Sequence, residues 1–132
     1  MNLMLFRGLA SRLLLSKRKV KEEDTVISVT EPLLLTNADS GKTYSLDSVI
    51  ARLDIPLRAS LTAGWTIRVQ TTVIGRYATV TGGEVGALIV MLGEDGYDGI
   101  SMDSLDAKAT IEFTGFLFEA NVLAGTVNGY LD

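Results

Sequence analysis

The 132-residue chain contains no cysteine and no histidine. Without cysteine there are no disulfides, thiolate zinc sites or cysteine nucleophiles. Without histidine, the commonest general base and the commonest transition-metal ligand are both missing. Catalysis would fall to carboxylates, lysine, serine, threonine or tyrosine, and neither enzymatic activity nor a cofactor is expected. Proline occurs twice, tryptophan once and glycine thirteen times. That balance favours many tight bends and no proline-rich linker. What is there in quantity is apolar: 47% hydrophobic against 21% charged residues, a globular composition.

Charge is divided along the chain. Residues 1–24 carry six basic groups and three acidic ones, a balance of +3. Residues 25–132 carry six basic and thirteen acidic groups, a balance of −7. A basic arm on an acidic body implies two surfaces with different partners. An acidic body also argues against nucleic acid, whose phosphates need a basic face.

The arm, "MNLMLFRGLASRLLLSKRKVKEED", is the one segment with a helical period. Leu3, Phe6, Leu9, Ala10, Leu13 and Leu14 form a stripe. Arg7 and Arg12 interrupt its apolar core and no small-residue cleavage site follows, unlike a secretory signal. It is too short and too charged for a membrane span. Packing on its own body or on a neighbouring subunit, docking on another protein, and targeting to a membrane surface or organelle are the remaining readings. Lys17, Arg18 and Lys19 open a solvated hinge before the body.

From Thr25 onward, short strands recur at the spacing of an all-β sandwich or barrel. Val26, Ile27 and Val29 begin the first, and Leu33–Thr36 follows Pro32. "NADSG" is a turn, and Tyr44 with Leu46 forms a third strand. Ala51, Leu53, Ile55 and Leu57 alternate with polar residues and predict one buried face. Pro56 closes or edges that strand, where no ladder donor is required. Gly64 turns the chain into Trp65, Ile67 and Val69; Trp65 is expected in the core with its indole nitrogen on a carbonyl. Residues 87–92 read as a strand buried on both faces, and "GEDGYDG" as a loop. In "ATIEFTGFLFEANV" the parity of the apolar residues switches at Thr114-Gly115. A two-residue hairpin there would put Ile111, Phe113, Phe116, Phe118, Ala120 and Val122 on one buried face; a bulge is the alternative. "AGTVNGYLD" supplies a last strand.

The stretch "LLLTNADSGKTYSLDSVIARLDIPLRASLTAGWTIRVQTT" resembles the opening of a β-module of tailed-bacteriophage virion proteins, the capsid decoration (cement) and head- or tail-fibre proteins. The likeness rests on the turn Asp39, Ser40, Gly41, Lys42 and Thr43, on Ile55-Pro56, and on Ala63, Gly64 and Trp65 before a long alternating strand. Ile55 stands where leucine is usual. The likeness spans residues 33–131 and omits the arm. It implies a compact jelly-roll-like β-sandwich, trimeric assembly, no catalysis and no shared active-site residues.

Three motifs have plainer readings. "SGKT" (Ser40–Thr43) lacks the upstream glycine of a phosphate loop, Thr36 standing there, and the residues after it alternate as a strand. Glu94, Asp95, Asp98, Asp103 and Asp106 read as a solvated acidic loop, with calcium as the alternative, because the helix-loop-helix ligand spacing is missing. Among the aromatics, Tyr97 is the best candidate for stacking a sugar.

The sequence therefore predicts an arm at 1–24 and an all-β, jelly-roll-like domain at 25–132. The expected function is that of a virion structural protein at the capsid surface, binding the major capsid protein and itself as a homotrimer. Leu3, Phe6, Arg7, Leu9, Arg12, Leu13, Leu14, Lys17, Arg18 and Lys19 of the arm are the expected contact residues. A glycan-binding fibre module is the alternative.

Overall fold

A computed structural model describes residues 25–81, 89–91 and 96–131, with the backbone alone for 75–81. The expected arm at 1–24 lies outside the described residues. The described chain is built from strands: β1 (Val26–Val29), β2 (Pro32–Leu34), β3 (Thr43–Leu46), β4 (Arg52–Asp54), β5 (Thr66–Thr71), β6 (Gly75–Thr81), β7 (Ile89–Met91), β8 (Gly96–Tyr97), β9 (Gly99–Met102), β10 (Lys108–Phe113), β11 (Phe118–Ala124) and β12 (Val127–Tyr130). They form a seven-stranded sheet in the order β1-β3-β5-β10-β11-β7-β8 and a five-stranded sheet in the order β12-β9-β6-β4-β2.

The all-β class agrees with the sequence. The strand order adds something composition did not carry. Odd-numbered β1, β3 and β5 lie in the large sheet and pair in parallel. Even-numbered β2, β4 and β6 lie in the small sheet and also pair in parallel. The chain thus climbs as a stack of arches, each with one leg per sheet. β9–β10 and β11–β12 add two further arches through antiparallel pairs, β9 against β6 and β12, β10 against β5 and β11. A jelly roll, by contrast, is an antiparallel architecture.

Register puts all five arch crossings at one end of the molecule. Val29 pairs with Leu46, Leu46 with Thr71, Gln70 with Lys108, and Lys108 with Ala124. The connections 30–31, 47–51, 72–74, 103–107 and 125–126 therefore stand side by side, in the order of their strands. The strands of the large sheet reach their other ends near the β10–β11 hairpin.

Backbone groups leave the ladder at every crossing and need other partners. Serine hydroxyls supply some of them: Ser48 Oγ donates to Thr30 O and accepts from the Ile50 N–H, and Ser104 Oγ accepts from the Thr126 N–H. Asp47 ties three arches together. Its carboxylate accepts from Ser28 Oγ at 2.5 Å, Ser45 Oγ at 2.6 Å and Thr72 Oγ1 at 2.9 Å, and its N–H donates to Val29 O at 2.8 Å. The hydroxyls of Ser28 and Ser45 hold its pKa below the ordinary carboxylate value. Asp103 does the same for the last two arches. It accepts from Ser101 Oγ at 2.9 Å and Asn128 Nδ2 at 2.6 Å, while its N–H reaches Thr126 O. The two corners share the pattern Ser-x-Asp-Ser-x-x-Ala, at Ser45–Ala51 and Ser101–Ala107. In both, the alanine N–H donates to the second serine's carbonyl and the alanine itself is buried. Gly125 completes the fifth crossing at φ +68°, where any Cβ would meet the Ala107 backbone at 2.7 Å.

Between the sheets lies one core that includes Tyr44, Leu46, Leu53, Ile55, Trp65, Ile67, Val69, Ile111, Phe113 and Phe118. Trp65 behaves as the sequence predicts: it is buried and its Nε1 donates to Thr36 O at 3.0 Å. Gly64 makes the bend before it at φ +95°. Pro56 follows the end of β4 and withholds no ladder donor.

Other expectations need correction. The inward alternation of β4 stops at Ile55, and Leu57 is exposed because the chain turns there into a short 3-10 segment, Arg58–Ser60. Val90 and Met91 are only half-buried, so β7 is not covered on both faces; residues 87, 88 and 92 lie outside the described residues. "GEDGYDG" is not wholly loop, since Gly96–Tyr97 pairs with β7 and Gly99 opens β9. In the late hairpin Phe113 pairs with Phe118, leaving a four-residue connection rather than two. Phe116 consequently sits in the turn, 75% exposed, and Val122 is also exposed.

The two lowered carboxylates give a pH test. The Asp39 carboxyl loses some solvation by burial, but the Lys42 ammonium and the Thr36 N–H outweigh that and hold its pKa down. A group with a lowered folded pKa stabilises fully above its unfolded value, about 3.9, and loses that contribution as pH falls through the folded value. Stability should therefore decline below about pH 4. At neutral pH, Asp47→Asn should cost roughly 1–2 kcal/mol, the half-exposed position keeping it modest, and its acid decline should be shallower. Denaturant titrations across pH measure both, and equal stability of variant and parent would remove Asp47 from this role.

Candidate interaction site

The crossing end exposes apolar side chains at the tips of three adjacent arches. Val49 and Ile50 cap the second, Ile74 the third and Leu105 the fourth, each between 51 and 66% exposed. Turn tips are ordinarily polar, because the residues there must bond their own backbone or water. Here Ser48, Thr71 and Ser104 at the bases of the corners do that bonding, accepting from the N–H groups of Ile50, Val73 and Thr126, which leaves the tips free to be apolar. Neighbouring legs of a sheet are about 4.8 Å apart, so the tips form a ridge about 10 Å across. Carboxylates rim it: Glu31, Asp47, Asp103 and Asp106. The bases nearby are Lys108 and Arg52, and Arg52 already donates to Asp54 at 2.7 Å.

The opposite end is braced differently. Asn37 and Thr62 exchange two bonds, Nδ2 to Oγ1 at 3.2 Å and N–H to Oδ1 at 2.9 Å. Ser40 Oγ accepts from the Thr66 N–H, and Lys42 Nζ meets Asp39 Oδ1 at 2.9 Å. The "SGKT" residues are thus a polar turn leading into β3, as the sequence reading has it. Tyr44 lies beside this turn; burial first, then the Asp39 carboxylate, pushes its phenol pKa upward and keeps it protonated. Arg58 Nη1 donates to Phe116 O at 3.2 Å and, with Ala59, Leu61, Phe113 and Phe116, lines a shallow hollow. Leu57 and Phe116 stand exposed around it.

A third feature is a groove of about 450 Å3 on the flank, lined by Met91, Tyr97, Ala120, Asn121, Val122, Val127, Asn128 and Gly129. Tyr97 is half-buried, its ring lying where a Cβ on Gly129 would stand, so it is less exposed than the sequence reading expects. Of the acidic cluster, Asp103 and Asp106 are engaged by Ser101, Asn128 and Ser104. Glu94 and Asp95 lie outside the described residues. Among the described residues no three acidic side chains gather as a metal site. No described helix is long and apolar enough to cross a membrane.

The predicted contact residues Leu3, Phe6, Arg7, Leu9, Arg12, Leu13, Leu14, Lys17, Arg18 and Lys19 all lie outside the described residues. The apolar ridge is what sequence reasoning missed. Its signal is the recurring Ser-x-Asp-Ser corner followed by an apolar residue where a turn-former is expected. Compared with known protein families, with curated proteins and with solved structures, the chain matches none.

Phe116 and Phe118 separate surface from core. Phe116→Ser should change stability by less than about 0.5 kcal/mol. Phe118→Ala should cost about 3–5 kcal/mol, because its ring packs 5.1 Å from Phe113 and edge-on to Trp65. Thermal or denaturant unfolding of both variants checks the contrast.

Proposed function

We propose that the protein is a structural component of a virion, a capsid decoration protein that binds the major capsid lattice through its arm and through an oligomeric β body, taken as a trimer. One observation carries this reading. The body is stitched into a single piece, and six of the twelve exposed large apolar side chains among the described residues, Val49, Ile50, Leu57, Ile74, Leu105 and Phe116, stand on the turns at its two ends. That is the anatomy of an adhesive. The likeness of residues 33–131 to phage virion modules supports the virion setting, and the split between a cationic apolar arm and an acidic body supports two separate contacts.

The energetics favour such a role. Burying the arm's leucines at roughly 25 cal/mol per Å2 contributes several kcal/mol per copy before ordering costs. Linking three arms in one trimer raises the effective concentration of the second and third.

A glycan-binding fibre module is the second reading, favoured by the groove that brings Tyr97 together with Asn121 and Asn128. Binding on a glycan array that Tyr97→Ala abolishes would move the function there.

Deleting residues 1–21 should leave a folded body with the circular dichroism of a β protein and no capsid binding in co-sedimentation. Decoration by the truncated protein would overturn the arm's role. Light scattering on both forms reports whether the body alone forms the trimer.

A further inference from the structure

We infer that the first arch carries an interaction surface for a second copy of the chain, formed where β1 of one copy pairs antiparallel with β1 of the other across a two-fold axis. Among the described residues, β1 and β2 are the last strands of their sheets on one flank. The Asp47 N–H donates to Val29 O, so the backbone of Val29, and of Ile27 two residues back, faces β3. The N–H and C=O groups of Val26 and Ser28 therefore face away from the body. Beside them the core is incompletely covered: Ile27 is only half-buried and Leu33 is 37% exposed.

The two edges of this flank are not alike. On β2 the Leu35 N–H donates to Asp54 O, which turns Pro32 and Leu34 outward. Pro32 has no N–H, and the Thr36 N–H, next in that outward series, is already bonded to Asp39 Oδ2 at 2.8 Å. That edge is blunted in the way sheets avoid unwanted pairing. β1 reads Val-Ile-Ser-Val and has neither proline nor charge. At the other end of the stack the Tyr97 ring, from the large sheet, lies against Gly129 of the small one, and the edge strand β8 has only two residues. One end of the stack is thus capped and the other is not.

Charge and symmetry select the occupant. Residues 25–132 carry a balance of −7, so two bodies repel over most of their surface, but β1 is neutral. With Ser28 opposite Ser28 and Val26 opposite Thr30, the two Glu31 side chains stand at opposite ends of the pairing, about 20 Å apart, where salt screens them. The capped far end offers no partner for head-to-tail addition, so the contact is isologous and stops at two copies. Ile27 and Leu33 of both copies then meet between the sheets. The strand is about 13 Å long, too short for the roughly 800 Å2 per partner of a stable dimer. The contact is therefore weak alone and gains strength where copies are already arrayed. It goes beyond the decoration reading, because it joins two bodies rather than a body to a lattice.

Residue-resolved amide hydrogen exchange on the full parent chain gives the first test. In dilute solution the Ile27 and Val29 amides should be protected while those of Val26 and Ser28 exchange fast; at millimolar concentration the latter two should slow several-fold. Protection of Val26 and Ser28 already in dilute protein, or no slowing at millimolar concentration, would overturn the inference. Cross-linking is the second test, and the absence of native cysteine makes it clean. Oxidised Ser28→Cys should give a disulfide dimer whose yield rises with concentration and is several-fold above that of Phe116→Cys, at the far end of the body. Adding Val26→Pro removes an outward donor and no ladder bond, so the melting temperature should hold while the dimer yield falls several-fold. Equal yields from positions 28 and 116, or a yield that the proline leaves unchanged, count against the pairing. Because neither experiment contains capsids, its failure is separate from a failure of the decoration reading.

Discussion

The structure depends on how chain crossings between two sheets are satisfied. Every arch takes the backbone out of the hydrogen-bonding ladder, and five arches do so at the same end. Unpaired amides and carbonyls stacked there would oppose folding. Ser48 and Ser104 hydroxyls and the amides of Asp47 and Asp103 pair backbone groups of the neighbouring arches, and the two aspartate carboxylates tie those arches together through Ser28, Thr72 and Asn128. The parallel stacking of β1, β3 and β5 follows: a parallel neighbour needs a long connection, and here the alternate leg in the other sheet is that connection.

Much of this was legible in the sequence. The alternation of Leu53 and Ile55, and of Trp65, Ile67 and Val69, gave both the strands and their buried faces. The tryptophan's carbonyl partner followed from the chemistry of a buried indole. What escaped was long-range. Period-two patterns say which residues point inward, but not which strand lies alongside, so the parallel climb was invisible. The β10–β11 turn was misjudged for a related reason. A parity switch tells that the chain reverses, whereas the length of the reversal depends on the register of Phe113 against Phe118. The apolar ridge was missed because a turn tip is read as polar by default. The repeated Ser-x-Asp-Ser corner explains why the tips at Val49, Ile50 and Leu105 need not be, and Thr71 accounts for the tip at Ile74.

The functional reading joins these halves. The chain has no histidine or cysteine, and two of its aspartates, Asp47 and Asp103, hold arches together. Its remaining distinctive features are surfaces: an apolar ridge rimmed with acid, a second apolar end at Leu57 and Phe116, and an arm of complementary character. Rigid bodies with adhesive ends suit a protein that joins others.

The division of labour between the two ends has a practical outcome. The Asp47 and Asp103 clasps sit where the arches cross, and the β10–β11 turn lies at the far side with Phe116 in solvent. That turn is held by its own bonds, between Thr114 and Leu117 and from Arg58 to Phe116 O, and shares none with the crossing end. Foreign peptide grafted between Gly115 and Phe116 would lengthen a loop at small entropic expense while leaving the clasps untouched. The fold is therefore suited to display: one end fixes the scaffold, and the other can be rewritten.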